Sequence, residues 1–177
     1  MASLGDAMLV SESLKRLLLE VGEQRSLDAV LRTVVGRLGE QEHIALARIW
    51  LNRPGDICDR CPLRADCPDQ TRCLHLTASA GQSKREDTSP WDRLDGDFRR
   101  IPLGVRKVGH IGATGECVSV NDVCSDARWI GNPEWAKSEG ILGFTGQPLV
   151  FKGELLGVLA IFTRTMLTQG CPEWLRM

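Results

Sequence analysis

No apolar run in this chain of 177 residues approaches the ~20 that a helix needs to cross a bilayer. The N-terminus has no basic stretch followed by an apolar one, so no secretory leader is visible. A surplus of one charge is missing as well. Lys and Arg total 22 against 23 Asp and Glu, a formal net charge of −1. No global field is therefore available to recruit nucleic acid or an acidic membrane. Arg99-Arg100 and Arg106-Lys107 are the notable basic pairs, and a solvated surface accounts for both. Histidine occurs three times and tyrosine not at all. His43 and His110 read as structural or exposed, and Glu134, Glu139 and Asp122 form no convincing acid/base pair. These absences point away from a membrane protein, a direct nucleic-acid binder and an acid/base hydrolase. A cytoplasmic location is the expectation.

Cysteine is what the chain concentrates. Four of its seven cysteines, Cys58, Cys61, Cys67 and Cys73, follow a C-x2-C-x5-C-x5-C spacing within sixteen residues. An odd total argues against a fully paired disulfide framework. In a reducing compartment, clustered thiols more often mean metal or redox chemistry. Four thiolates suit tetrahedral zinc, and they equally suit an iron–sulfur cluster. Zinc ribbons usually carry two C-x2-C knuckles and this chain has one. Pro62 and Pro68 follow cysteines directly, as in many iron–sulfur segments. Arg60, Arg64 and Arg72 oppose the charge of a thiolate site, and His75 is a substitute ligand for one cysteine. The spacing does not choose between zinc and iron–sulfur, and free or reversibly paired thiols are the plainer alternative. Cys117, Cys124 and Cys171 read as small buried apolar groups.

The length suits one domain with a single core. Residues 1–12 form a weakly patterned extension. Leu14, Leu17, Leu18 and Val21 make one helical stripe. Ser26 is an N-cap for a second helix with apolar positions Leu27, Val30, Leu31, Val34, Val35 and Leu38. Ile44–Leu51 is a strand, with Ala45, Ala47, Ile49 and Leu51 on one face and Ile44, Leu46, Arg48 and Trp50 on the other. A cysteine-rich insert spans 52–73. The strand Cys73–Ala80 follows, with Leu74, Leu76, Ala78 and Ala80 on one face. Residues 82–97 are a polar loop, read as mobile, with Trp91 as its anchor. Pro102 pushes the short strand Phe98–Leu103 towards a sheet edge. A helix over Val105–Gly115 has Gly109 and Gly112 for close approach to the sheet, and Gly115 ends it. Glu116–Val120 is a strand. Asn132-Pro133 opens a two-turn helix closed by Gly140. Gly143–Phe151 and Glu154–Arg164 pair through a Lys152-Gly153 turn, the second apolar on both faces and so central. A last helix begins near Pro172 and stops at Met177. One turn cannot hold itself, so the natural chain is expected to continue.

This order gives an α+β fold: a mostly antiparallel sheet of five to six strands, terminal helices on one face, short helices and loops over a ligand pocket on the other. Trp50, Ile111, Trp129, Trp135 and Phe144 are the candidate pocket residues, with core packing as the plainer role of the tryptophans.

The run Leu103…Val108-Gly109-x-Ile111-Gly112…Gly115-Glu116-x-Val118-x-Val120-x-Asp122, with Gly140-Ile141…Pro148-Leu149…Gly153-Glu154-x-x-Gly157-Val158-Leu159, resembles a GAF domain from about Leu14 onward. The resemblance leans towards the N-terminal sensory modules of bacterial AAA+ enhancer-binding regulators that work with the nitrogen-type alternative sigma factor. It implies a sensor that signals through terminal helices, a homodimer through those helices, and output partners in an AAA+ ATPase and a DNA-binding domain, neither of which lies in this chain. The cyclic-nucleotide signature of some GAF domains, Asn-Lys-x-x-Phe-x-x-x-Asp-Glu, is missing. So is the adjacent Cys-His pair of bilin binders, because Leu74 separates Cys73 from His75. GAF-fold reductases of free methionine sulfoxide use a cysteine nucleophile with resolving cysteines. Cys117 and Cys124 are the residues that would serve, although their surroundings do not match that family. A non-enzymatic sensor is the leading expectation. A cysteine reductase and a purely structural dimerisation module are the alternatives.

Overall fold

The computed structural model describes residues 14–84, 91–123 and 132–167. Helix α1 covers residues 14–22. Ser26 then caps α2 (Leu27–Gly39), its Oγ accepting from the Ala29 amide at 3.2 Å. Asp28 in the first turn and Arg37 in the last complement the helix dipole. Arg37 also clamps α1: its Nε and Nη2 donate to the Glu20 carboxylate, each at 2.6 Å. Leu31 and Val35 face inward, onto Ala47, Ile49, Ala78, Leu159 and Ile161. Burying a side chain such as Val35 stabilises by roughly 1.5–3 kcal/mol, which is what holds the helix to the sheet.

The sheet has six strands: β1 (Ile44–Pro54), β2 (Arg72–Gly81), β3 (Arg100–Pro102), β4 (Val118–Asn121), β5 (Gly143–Phe151) and β6 (Glu154–Thr163). Their order is β3-β2-β1-β6-β5-β4, and every neighbouring pair is antiparallel. The doubly apolar β1 and β6 lie at the centre, and β3, with its proline, is an edge. Helix α2 covers one face. Helices α3 (Arg106–Thr114) and α4 (Pro133–Glu139) cover the other, over a second apolar cluster around Trp50, Ile111, Phe144 and Val158. The β5–β6 turn uses positive φ at both Lys152 (50°) and Gly153 (81°), as a two-residue hairpin with right-handed strand twist requires.

Simple alternation fails along β1 and β2. The pairing slips between Ile49 and Trp50: Ile49 lies opposite Ala78, and Trp50 opposite Leu76. Thr77 is the extra residue, and its hydroxyl bonds the His75 carbonyl at 3.0 Å. Such a bulge reverses the facing of everything beyond it. Leu74 and Leu76 therefore join the cluster under α3 and α4, whereas Ala78 and Ala80 pack beneath α2. A second irregularity, between Ile44 and Leu46, puts Ile44 under α2 and Ala45 on the opposite face, the reverse of plain alternation.

Both strands run further into the cysteine-rich region than the sequence suggested. Pro54 pairs with Arg72, so the insert is a hairpin loop over residues 55–71. It is closed by Gly55 N–H to Thr71 O at 2.9 Å and built on two 3-10 turns, Cys58–Arg60 and Arg64–Asp66. Leu63 is its buried apolar anchor. Asp56 holds it to β3 through a two-point bond to Arg100, with Nε at 2.7 Å and Nη2 at 2.5 Å.

Two expectations follow. A Cβ at Gly109 would strike the Pro102 carbonyl oxygen and stand 3.3 Å from Ile101 Cγ2. Gly109→Ala is expected to destabilise by about 2 kcal/mol, read as a lower urea midpoint, because backbone cannot yield as a flexible side chain can; an unchanged midpoint would contradict this packing. The Arg100 hydrogen bonds draw the Asp56 carboxyl down from its ordinary 3.8 to about 2. A depressed carboxylate stabilises the fold above its unfolded pKa, and that contribution fades as pH falls from about 4 towards 2. The pair is 45% exposed on the Asp56 side, so Asp56→Asn is expected to cost under about 1 kcal/mol at pH 7. The gap to wild type should close at pH 2 in denaturant melts.

Candidate functional site

Between the sheet and the short helices lies a cavity of about 250 Å³. Its walls are aromatic. Trp91 and Trp135 meet at 5.4 Å between ring centres, Trp135 and Phe162 at 5.8 Å, and Phe162 and Phe144 at 5.1 Å. Trp50 fixes the opposite wall by donating its indole N–H to the Phe98 carbonyl at 2.9 Å. Each ring is held by a separate element. Phe144 and Phe162 come from paired positions on β5 and β6. Trp135 stands in the first turn of α4, where the Asn132 side chain accepts from its amide at 2.9 Å. Glu139, at the far end of α4, accepts from the Ser83 hydroxyl and the Lys84 amide, both at 2.7 Å, and so ties α4 to the segment that follows β2.

Three cations line this apolar space: Arg48, Arg106 and Lys107. Arg48 comes from the middle of β1, and burial lowers its guanidinium from the ordinary arginine value. Its Nε donates to Ser79 Oγ at 3.1 Å, and the Ser79 hydroxyl in turn donates to the Trp91 carbonyl. No carboxylate among the described residues meets Arg48. Lys107 is buried with its Nζ 5.2 Å from the centre of the Phe144 ring. Arg106 lies over Phe98 at 5.4 Å and adopts a left-handed φ of 57°, which a non-glycine residue takes up only when its surroundings hold it there. The cavity thus combines a ring-lined apolar body with a cationic rim, and none of its lining among the described residues is acidic. Such a space suits a flat organic molecule bearing an anionic group.

Of the five pocket residues suggested by the sequence, Trp50, Trp135 and Phe144 line this cavity. Ile111 does not. It is fully buried behind the wall, its Cδ1 against Gly146. Trp129 lies outside the described residues. Sequence reasoning missed Trp91, Phe98, Phe162 and the cations. Arg48 carried a readable signal, as the sole charge in the apolar run Ile44–Leu51.

The four insert thiols, all free, share the wall of a second and much smaller cavity of about 20 Å³. Cys58 donates its thiol to the Gln70 carbonyl at 3.3 Å. Burial pushes the Cys73 thiol up to about 11. Among the described residues no group of three or more His, Cys, Asp or Glu is set as a metal-ligand constellation. His75, the substitute ligand suggested by the sequence, does not line this cavity. Its Nε2 stands 3.8 Å from Asp56, and burial lowers the imidazole from its ordinary value. Strand β3 borders both cavities: Arg100 and Pro102 belong to the thiol cavity and Ile101 to the aromatic one, as a two-residue period demands. Cys117, expected as a small buried group, is half-buried and disulfide-bonded, and not to any of the four insert cysteines.

No helix among the described residues is long and apolar enough to cross a membrane. No curated protein matches the chain in sequence. Solved structures do match in fold. The GAF domain of a phosphoenolpyruvate-protein phosphotransferase from Coxiella burnetii is 21% identical, with a TM-score of 0.63 over 93% of this chain and 84% of that one. The GAF domain of the Acinetobacter phosphoenolpyruvate-protein phosphotransferase is 17% identical, with a TM-score of 0.61 over 94% and 81%. Free methionine-R-sulfoxide reductase from Neisseria meningitidis, in complex with its substrate, is 22% identical, with a TM-score of 0.60 over 94% and 79%. At these identities the likeness concerns the fold. The sequence profile of the GAF domain matches residues 26–176. The chain belongs to the GAF domain family.

Proposed function

We propose that this chain is a sensory GAF module whose aromatic cavity binds a small organic anion. The observation that carries this reading is Arg48: a half-buried, partly desolvated guanidinium without a carboxylate partner among the described residues, lining a ring-lined space. Removing a cation from water is costly unless an anion or hydrogen bonds replace the solvent. A ligand carboxylate would supply that replacement, and its apolar body would stack on Trp91, Trp135 and Phe162. Binding would favour the conformations in which α3 and α4 close over the ligand, and the change would reach an output domain through the terminal helices. The motif resemblance favours a bacterial transcription regulator with an AAA+ ATPase and a DNA-binding domain as that output. Leu18 and Leu19 of α1 are 61% and 72% exposed, an apolar surface suited to a second copy of the chain in a homodimer.

Phenylacetate and its neutral amide, phenylacetamide, separate the charge from the ring. Titrated against tryptophan fluorescence, the acid is expected to bind at least about tenfold tighter than the amide, the range of a charge-assisted hydrogen bond. Arg48→Met should erase that preference while leaving the thermal melt cooperative. Equal affinities in the wild type, or saturable binding of neither probe, would count against an anion sensor.

A second reading, a reductase of free methionine sulfoxide, rests on the fold likeness to such enzymes and on the disulfide at Cys117. Cys117 is not among the cavity's lining residues, which weighs against it as a nucleophile acting there. Turnover of free methionine-R-sulfoxide with a thiol reductant, abolished by Cys117→Ser, would establish the enzyme. Our expectation is no turnover above the reductant alone.

A further inference from the structure

We infer that Cys58, Cys61, Cys67 and Cys73 are the four ligands of one zinc ion. The assignment rests on four features of the insert and is independent of the aromatic cavity.

The first is convergence. Three thiols from the loop and one from β2 line a single small space, although up to fifteen residues separate them in sequence. The second is local design. Each 3-10 turn is followed by a cysteine in extended backbone, Cys61 at φ −69° and ψ 128° and Cys67 at φ −79° and ψ 121°. A proline follows each of those cysteines. The loop therefore presents the same turn-Cys-Pro unit twice, with the backbone direction fixed after each ligand. The third is tightness. A Cβ on Gly55 would come within 2.6 Å of Cys58 Sγ and 3.0 Å of the Gln70 carbonyl, so a bare backbone is what lets the loop close around the thiols.

The fourth is charge. Arg64, Arg72 and Arg100 also border this space. Asp56 borders it too and pairs with Arg100, so three cations against one carboxylate leave the lining a surplus of two positive charges, which neutral thiols do not use. A zinc ion with four thiolates carries a net charge of about −2, and arginines at its border offset that charge.

The size of the cavity decides between one ion and a cluster. About 20 Å³ is near the volume that admits a single water-sized occupant. A four-iron cluster with its sulfides needs several times that space. Binding would draw the sulfurs in to about 2.3 Å from a common centre, and each thiol would release its proton to solvent as its sulfur takes up the metal. The assignment requires that contraction, because the thiols as placed do not form a ligand constellation. The role is structural: the ion would lash the β1–β2 loop shut beside β3.

Elemental analysis of the chain purified without oxygen and without added metal tests this directly. About one zinc per chain is expected, together with a cobalt-substituted form showing the intense visible bands of a tetrahedral thiolate site. Cys61→Ser and Cys67→Ser should each reduce zinc content at least about tenfold. A cooperative thermal melt with a native near-ultraviolet circular dichroism spectrum serves as the folding control, and wild type and variants should retain both. Iron with acid-labile sulfide in place of zinc would overturn the assignment. So would metal-free protein whose four thiols react rapidly with a disulfide reagent in the native state.

Discussion

One extra residue in β2 decides on which side of the sheet half of the core falls. Thr77 breaks the pairing between Ile49 and Trp50, and the strand turns over at that point. Before the bulge, Leu74 and Leu76 feed the cluster beneath α3. After it, Ala78 and Ala80 offer α2 a shallow bed of small side chains, where a Cβ on Gly39 would stand 3.4 Å from Ala80. Ser79 passes to the opposite face, where it bonds both Arg48 and the Trp91 carbonyl. A regular β2 would carry Ser79 under α2, away from both partners. The cationic floor of the cavity and the tryptophan wall above it therefore depend on the same local defect.

That defect also explains how a charged residue sits near the middle of the sheet. Arg48 lies between the buried Ala47 and Ile49, and the fold gives it a serine hydroxyl and the edge of a cavity in place of solvent. The arrangement is costly unless something else binds there, since desolvated cations are rarely left without an anion. The aromatic rings act in the same direction. They exclude water, lower the local dielectric and so raise the value of any charge that arrives.

Much of this architecture was legible because it is local. The Ser26 cap, the Asn132-Pro133 helix start, the Lys152-Gly153 turn and the left-handed Gly115 and Gly140 are each specified within a few residues, and each is found where its residues suggested. The centrality of β6 followed from its two apolar faces. The bulge was hidden because Leu74, Leu76, Ala78 and Ala80 keep a perfect two-residue period straight through it; only the partner strand reveals the slip. The cavity was half legible. Trp50 and Phe144 stand in strands whose faces can be counted, but Trp91 reaches the site from an irregular segment with no period to count, and Phe98 lies in a turn ahead of β3 and not in the strand expected to begin with it. Ile111 stands behind the cavity wall for a related reason: a helix of nine residues turns some apolar side chains to the cavity and others to the packing behind it, and sequence does not distinguish the two. His75 shares β2 with Cys73 but, one pleat further along, does not border the thiol cavity.

The three residues of β3 have a thermodynamic consequence. Ile101 touches one cavity, and its neighbours Arg100 and Pro102 touch the other. A rigid strand that short cannot move one side chain and leave the next in place. A ligand among the rings that displaced β3 would then be felt among the thiols, and such coupling would be reciprocal: the factor by which the first occupant altered the affinity for the second would equal the factor in reverse. A domain that reads an organic anion through its aromatic face would then also read, with the same exchange rate, whether the loop at its edge is tied or untied.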